Sequence, residues 1–303
     1  MSQPPRLFDR RLHRRRLQRA APGFGRADYL KARVADDLTH RLATINRRFP
    51  IAVELGARTG VFARALASSA AADKIDLLVQ TDLSETMLAR VGGARAVADE
   101  ARPPFGPASI DLFITALSLH WVDDLVGALV QIRLALKPDG LFIGALLGGA
   151  TLAQLRACLT EAEIELTGGA GPRVSPFLDA VDGGALMQRA GFALPVVDVD
   201  RLEVRHDHLL DLMAELRAMG ETNVLFDRPR TPLTRGVIAR ASELYHQRFG
   251  QDGRISSTFE VVTLTGWAPH ASQPQPLAPG SATVRLADAL GAGEQSAGEK
   301  AGG

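Results

Sequence analysis

One cysteine, Cys158, in 303 residues leaves no partner for an intrachain disulfide. The chain is therefore not a disulfide-stapled secreted scaffold, and it suits a reducing compartment. Cys158 falls in the helical pattern Leu152-Ala153-Gln154-Leu155-Arg156-Ala157-Cys158-Leu159, with no paired histidine in view, and reads as helix packing rather than as a nucleophile. No run of roughly 18 or more apolar residues is present, which excludes a transmembrane helix. Charge of one sign is also missing: 35 basic against 34 acidic residues leave a net charge of +1, so no global field points to nucleic acid. What remains is ordinary for a globular protein, 46% apolar and 23% charged, on a chain long enough for one large domain or two small ones.

The one local imbalance lies at the N-terminus. Residues 1–19 carry Arg6, Arg10, Arg11, Arg14, Arg15, Arg16 and Arg19 against a single acid, Asp9. An Arg-rich, acid-poor start is also the composition of a mitochondrial transit peptide. The segment lacks the usual serines, however, and Phe8, Leu12 and Leu17 suggest a helix that continues toward Tyr29-Leu30. A basic N-terminal helix over residues 1–33 is the expectation, with peripheral membrane contact as one use for its arginines. The Ala/Arg/Gly-rich usage suits a bacterial cytoplasm; a transit peptide would place the chain in the mitochondrial matrix instead.

The most informative stretch is Ile51-Ala52-Val53-Glu54-Leu55-Gly56-Ala57-Arg58-Thr59-Gly60. An apolar run ending in an acid, then two glycines opening an Ala/Arg-rich segment, reads as strand, tight turn and helix. Glycine permits positive φ and puts no Cβ between turn and ligand. The next apolar run, Ile75 to Thr81, closes on Asp82, at the carboxyl end of a second strand, where a ribose lies in an open α/β sheet. Gly56 and Gly60 are four apart, so this is not G-x-G-x-x-G. Two strand-end acids flanking a glycine turn suit a nucleoside with hydroxyls and no pyrophosphate, a description that S-adenosyl-L-methionine meets.

Strand and helix signals alternate over 34–206. A helix carrying Leu38, Leu42 and Ile45 leads to a strand at 51–55. A helix over 60–70, a strand at 75–81, a helix with Ser84 at its N-cap and a short strand at 94–98 follow. After the loop Pro103-Pro104-Phe105-Gly106-Pro107 come a strand at 110–115, a helix over 122–136, the turn Lys137-Pro138-Asp139-Gly140 and a buried strand at 141–147. Strands spaced by helices imply parallel βαβ units and a doubly wound sheet. Further on lie a helix over 151–167, a loop over 168–182, a helix over 183–190, a strand over 196–205, a helical insert over 207–255 acting as a lid, and a last strand within 256–267. The tail at 268–303 is rich in Pro, Ser, Gly and Ala and is expected to be flexible, and disordered past about 290.

In order and spacing, Glu54-Leu55-Gly56-x3-Gly60, Asp82, Asp99-Glu100, Leu117-Ser118-Leu119-His120-Trp121 and Leu136-Lys137-Pro138-Asp139-Gly140 resemble class I S-adenosylmethionine-dependent methyltransferases. The resemblance covers about residues 50–145 and implies a Rossmann-like α/β fold with a seven-stranded, mostly parallel sheet. It also implies cofactor contacts at Glu54, Gly56, Ala57, Gly60, Asp82, Leu83, Ala98, Asp99, Glu100 and Leu117: Gly56 and Gly60 let the backbone approach the methionyl part, Asp82 accepts from the ribose hydroxyls, and Asp99 takes the adenine amino group with Ala98 and Glu100 beside it. The chain departs from the pattern at Arg58, where many methyltransferases have glycine, and at Glu54, where aspartate is common.

Leu119-His120-Trp121-Val122-x-Asp124-Leu125 resembles the malonyl-carrier-protein methyltransferases of biotin synthesis, and more closely the methyltransferase-like assembly factors of respiratory complex I. Gly148-Gly149-Ala150-Thr151-Leu152, Ser175-Pro176-Phe177, the segment Asp211 to Asn223, Thr265-Gly266-Trp267 and Phe8-Asp9-Arg10 carry the second likeness, so it spans roughly 7–270. The mitochondrial member of that family is regarded as an arginine hydroxylase acting on a complex I subunit. His120 is the candidate catalytic base. Trp121, Asp211, Glu215, Arg217, Glu221 and Asn223 are candidate substrate contacts, with Asp211 and Glu215 able to grip an arginine. No metal site is expected: His206-Asp207-His208 reads as a helix-start turn. Three functions follow: an enzyme modifying a complex I subunit, a methyltransferase acting on a carrier-bound acyl group or small molecule, and a non-catalytic assembly chaperone.

Overall fold

Apolar runs bounded by turn residues form the inner strands of one sheet. The computed structural model describes residues 6–274 together with Val284, Asp288, Ala289 and Gly291. Its strands are β1 (Phe49–Leu55), β2 (Ile75–Asp82), β3 (Arg95–Val97), β4 (Ile110–Ala116), β5 (Leu136–Leu147), β6 (Ala193–His206), β7 (Gly250–Gln251) and β8 (Arg254–Trp267). Its helices are α1 (Arg10–Ala20), α2 (Tyr29–Thr44), α3 (Val61–Ala67), α4 (Glu85–Leu88), α5 (Leu125–Ala135), α6 (Ala153–Thr167), α7 (Ala180–Arg189), α8 (Leu209–Met219) and α9 (Arg235–Phe249). Residues up to Pro269 make one compact unit. From His270 a second unit begins with a turn closed by Gln273 N–H on the His270 carbonyl.

The strand order is β3-β2-β1-β4-β5-β8-β6, with the two-residue β7 paired onto β8. β1 through β5 pair in parallel, and β8 runs antiparallel between β5 and β6. The doubly wound, mostly parallel sheet of seven strands is thus as expected, with β7 a short addition. Strand order reverses between β1 and β4, which opens a crevice at their carboxyl ends.

Alternation along the central strands divides the core. Ala52, Leu112, Ile114, Leu141 and Ile143 pack on one face with Leu38 and Leu42 of α2 and Leu155 and Leu159 of α6. Val53, Leu55, Phe113, Phe142 and Leu146 pack on the other with Leu129 and Ile132 of α5 and Met187 of α7. Both faces of β4 are covered, so all seven of its residues are buried, including Asp111 and Thr115.

Several boundaries differ from expectation for identifiable reasons. Lys137-Pro138-Asp139-Gly140 is not a free turn but a bulge inside β5: Ile110 lies opposite Leu136 and Leu112 opposite Leu141. Asp139 takes a left-handed φ of 60° to make room. α5 starts at Leu125 rather than 122 because the Asp124 side chain caps it, accepting from Gly127 N–H. Leu119–Trp121 before it form a single 3₁₀ turn. Ser84 caps α4 as expected, accepting from Met87 N–H. The 207–250 insert resolves into α8 and α9, with α9 packed on α6. The tail expected to be flexible over 268–303 begins later than that, since Ala268 is buried and its N–H donates to Gly140 O; most of it from 275 on, including everything past 290 but Gly291, lies outside the described residues. No described helix is long and apolar enough to cross a membrane.

The basic N-terminal segment is helical only in part: α1 covers Arg10–Ala20, a 3₁₀ turn over Phe24–Arg26 interrupts it, Tyr29-Leu30 open the separate helix α2, and residues 1–5 lie outside the described residues. Asp9 caps α1 by accepting from Leu12 N–H, and His13, Leu17 and Ala20 form its buried stripe. α1 packs on α4 and α8, and Leu17 has no exposed surface. Leu17→Ala is therefore expected to lower stability by roughly 2–5 kcal/mol, measured by urea denaturation. A loss below about half a kcal/mol, the usual range for surface changes, would mean that α1 does not dock in solution.

Candidate functional site

The carboxyl ends of β1, β2 and β4 meet at the crevice. Gly56 follows β1 with φ 69°, and a Cβ there would lie 2.2 Å from Ser118 Oγ, so no other residue fits. Gly60, φ 78°, opens α3. Between them Arg58 holds a φ of 53° without being glycine, a conformation costing about 1–2 kcal/mol. Its partner explains it. Arg58 N–H and Nη1 both donate to Asp82 Oδ2 at 2.9 Å, while Asp82 Oδ1 accepts from Ser84 N–H at 2.7 Å. Arg58 is 1% and Asp82 0% exposed, so the strained turn is the backbone that lets this arginine reach a buried charge.

Two further cations enter the crevice from elements that no local pattern marks as functional. Lys31 of α2 is buried, and its Nζ donates to Gly56 O at 2.8 Å and to Ala116 O at 2.5 Å, bridging the ends of β1 and β4. Glu54 is fully buried nearby, and neither of its carboxylate oxygens has a hydrogen-bond partner. Burial pushes the Glu54 carboxyl from 4.5 up to about 7 and the Lys31 ammonium from 10.5 down to about 8; each charge partly offsets the shift of the other. Arg10 of α1 is the third: its Nη2 pairs with Asp99 Oδ1 at 2.7 Å and Glu100 Oε2 at 2.9 Å, and its Nη1 donates to Trp121 O. Ser118 Oγ donates to Glu100 Oε1.

Glu54, Gly56, Ala57, Gly60, Asp82, Leu83, Ala98, Asp99, Glu100 and Leu117 thus gather along one edge of the sheet. Ala57 N–H donates to Thr81 O and Ala98 N–H to Asp82 O, knitting the ends of β1, β2 and β3 together. The cover over this edge is α1 and the residues before it. Leu7 and Phe8 N–H groups donate to Asp123 Oδ1, and Phe8 stacks edge-on against Trp121. Asp9 N–H donates to Val224 O. His13 lies under this cover with its ring 5.0 Å from that of Trp121. Burial and the charges of Arg10 and Arg58 push the His13 imidazolium well below its usual range.

Beside the crevice lies a cavity of about 500 Å³, walled by α1, α6, α8 and the segments around 172–177 and 217–233. Trp121, Arg217, Glu221 and Asn223 line it. A smaller void of about 40 Å³ continues past Trp121, Phe177 and Glu221 to Lys31 and Leu117. Glu221 is the hinge of the two regions: its Oε2 accepts from Trp121 Nε1 at 2.6 Å and pairs with His120 Nε2 at 3.1 Å, and its Oε1 lies 3.6 Å from Arg58 Nη2. Burial raises the Glu221 carboxyl, but the hydrogen bond and charge of His120, the charge of Arg58 and the Trp121 hydrogen bond outweigh it and hold the group below its usual range. Asn223 fixes the loop, donating to Pro172 O and accepting from Leu225 N–H.

Asp211, Glu215 and His120 line neither space. The Asp211 carboxylate caps α8 by accepting from His208 N–H, and Glu215 accepts from Tyr29 OH and pairs with His206. Neither acid is placed to grip an arginine in the cavity. His206 ends β6 and His208 opens α8, so the His-Asp-His sequence is the turn expected. Among the described residues no three His, Cys, Asp or Glu side chains are grouped to hold a metal ion. Arg10, His13 and Lys31 are the site residues that sequence reasoning missed; Arg58 was noticed but its partner was not.

The pH response of the crevice follows from Glu54. In the folded chain it keeps its proton up to about 7, against 4.5 for an ordinary glutamate. The folded state therefore binds the extra proton between those values, and its stability falls as pH rises through them. Thermal unfolding across that range should show a shallower decline of Tm for Glu54→Gln than for the parent chain. Parallel curves would show that Glu54 ionises normally.

These residues fit an S-adenosyl-L-methionine group on three grounds. Both Glu54 oxygens and Arg58 Nη2 are buried without hydrogen-bond partners, Gly56 makes a cradle that a Cβ would fill, an acid, Asp82, closes β2, and Asp99 and Glu100 follow shortly after β3. Comparison with known proteins agrees. Residues 53–144 match the family model described as a methyltransferase domain, and its cofactor is S-adenosyl-L-methionine. The chain is 36% identical over 290 residues to the protein named arginine-hydroxylase NDUFAF5, mitochondrial, of Danio rerio, spanning 93% of this chain and 89% of that one. It is 30% identical to a malonyl-[acyl-carrier protein] O-methyltransferase of Methylovorus, spanning 88% and 91%. A Bacillus halodurans C-125 protein assigned as a methyltransferase superposes with a TM-score of 0.54 at 14% identity, over 78% of this chain and 99% of that one, a likeness of fold. The chain belongs to the NDUFAF5 family, a branch of the S-adenosylmethionine-dependent methyltransferase fold that also has the malonyl-carrier-protein methyltransferases among its relatives.

Proposed function

We propose that this chain modifies an arginine side chain of a respiratory complex I subunit during assembly of the complex, using the crevice for S-adenosyl-L-methionine and the cavity for the substrate. The reading is supported by the family relationship along 93% of the chain. The observation that carries it is Glu221, the one acid on the cavity wall, at the point where cavity and crevice meet. Held ionised by its neighbours, it offers a guanidinium a planar two-oxygen partner, and Trp121 offers a ring face beside it. His120 does not reach the cavity. Its Nε2 fixes the Glu221 carboxylate, which makes it a positioning residue.

On this reading Glu54, Gly56, Ala57, Gly60 and Leu117 hold the methionyl part, Asp82 and Leu83 the ribose, and Ala98, Asp99 and Glu100 the adenine. When bound, S-adenosyl-L-methionine supplies a methyl group on a sulfonium centre. The protein's part is to orient it and exclude water: Gly56 through Gly60 are all buried. Arg10 and Arg58 engage the same acids, Asp99 and Asp82, so the cofactor exchanges places with the chain's own cations. The role belongs to the bacterial cytoplasm or to its topological equivalent, the mitochondrial matrix. The exposed Arg11, Arg14 and Arg15 of α1 suit contact with an anionic membrane surface.

Two measurements test this. Isothermal titration of S-adenosyl-L-methionine should give a Kd on the order of 1 μM, about −8 kcal/mol. That binding should be lost in Asp82→Ala and tighter in Arg10→Ala; no heat in any of the three proteins would remove the cofactor site. Mass spectrometry of complex I subunits from cells lacking the gene, and from cells carrying Glu221→Gln, should show one arginine without its modification. The added mass in the parent strain, one oxygen or one methylene, names the reaction. Full modification in the Glu221→Gln strain would end the role given to that residue.

A further inference from the structure

The cavity beside the crevice has a charge pattern that neither the cofactor nor a target arginine explains. Five guanidinium groups stand on its wall: Arg16 and Arg19 of α1, Arg173, Arg217 of α8 and Arg228. Glu163 pairs with Arg173 at 2.6 Å, and Asp9 lies 3.7 Å from Arg228. Among the described residues Arg16, Arg19 and Arg217 form no hydrogen bond or ion pair with an acid; Asp9, paired with Arg228, attracts Arg16 only from a distance. The one acid lining the cavity, Glu221, is at the inner end and already bonded to Trp121 and His120. The surplus is felt: burial, and then the charges of Arg228, Arg19 and Arg217, push the Arg16 guanidinium below its usual range. Under this rim the floor is apolar, with Leu152, Leu155, Leu159, Val174, Phe177 and Leu216.

A free arginine arriving at this mouth meets repulsion before it meets Glu221. A small inorganic anion satisfies the rim but leaves the floor wet, and about 500 Å³ is within the range of a whole ligand pocket. Carboxylates on the rim and an apolar side chain on the floor satisfy both. We propose that the cavity docks an acidic segment of the partner protein: its Asp or Glu side chains pair with Arg16, Arg19 and Arg217, and a large apolar side chain fills the floor. This rests on the arginine-modification reading only for what enters the inner end. The rim neutralises the acids flanking the target, so one docking event screens the repulsion and presents the target arginine to Glu221.

Fluorescence anisotropy with the full chain tests the docking apart from any modification. The labelled peptide places one leucine and one arginine among aspartates. It should bind at least tenfold tighter than a copy with asparagine for every aspartate, and added salt should weaken it steeply. A lysine-for-aspartate copy should not bind. The doubly charge-reversed protein, Arg16→Glu with Arg217→Glu, should exchange these preferences and take the lysine peptide; Arg16→Gln with Arg217→Gln, a milder change, should bind the aspartate peptide at least tenfold more weakly. Equal affinity for the aspartate and asparagine peptides overturns the proposal. So does a charge-reversed protein that still prefers the aspartate peptide, or decanoate binding where no peptide does. A peptide with norleucine for the arginine separates the two readings: if it binds as well as the parent peptide, the acidic dock stands and the role of Glu221 falls.

Discussion

Asp82 is the charge around which the rest of the molecule is arranged. It is fully buried at the end of β2, where an unpaired carboxylate would be far too costly to keep ionised. Ser84 N–H, Arg58 N–H and the Arg58 guanidinium supply its partners. To supply two of them, the turn after β1 takes a left-handed residue that is not glycine, and Gly56 before it comes within van der Waals reach of Ser118. The Arg58 guanidinium then needs a second acid, which is Glu221 from beyond α8. A single carboxylate therefore ties the end of β1, the start of α4 and the insert between β6 and β8 into one arrangement.

The fold was legible because it rests on periodicity. The runs at 51–55, 110–115 and 141–147 are apolar on both faces with few exceptions, as in a sheet covered on both sides, while the run at 75–81 is covered only toward its carboxyl end. Ser84 was legible as a cap for the same local reason. The Lys137–Gly140 bulge was not, since Pro-Asp-Gly chemistry marks a bend without saying whether the strand resumes pairing across it. The site was legible only as far as the strand ends. Lys31 reaches Gly56 across 25 positions and Arg10 reaches Asp99 across 89, and both look in sequence like the solvated residues of basic helices. Asp211 and Glu215 show the opposite failure. Their acidity on an amphipathic helix suggested a grip on arginine, whereas a helix start and a neighbouring tyrosine use the same carboxylates.

The crevice and the cavity carry opposite electrostatic problems and solve them with different means. In the crevice, Arg58 answers Asp82, Arg10 answers both Asp99 and Glu100, and Lys31 lies beside a Glu54 whose carboxyl is pushed toward its neutral form, so the buried charges there nearly balance. In the cavity the guanidinium groups outnumber the acids and sit over leucines. Glu221 stands at the boundary and answers to both. That placement is why one residue, held by three neighbours (Trp121, His120 and Arg58) and facing the cavity, carries the functional reading.

α1 belongs to both regions. Arg10, at its first turn, rests on Asp99 and Glu100, while Arg16 and Arg19, further along, form part of the cavity wall. On the proposed reading, a ligand that takes Asp99 from Arg10 removes one tie of the helix that carries the rim, and a partner seated on the rim holds the helix that carries Arg10. On that reading the two ligands act on one helix, and their affinities are linked. Whatever factor the first imposes on the affinity of the second, the second must impose on the first.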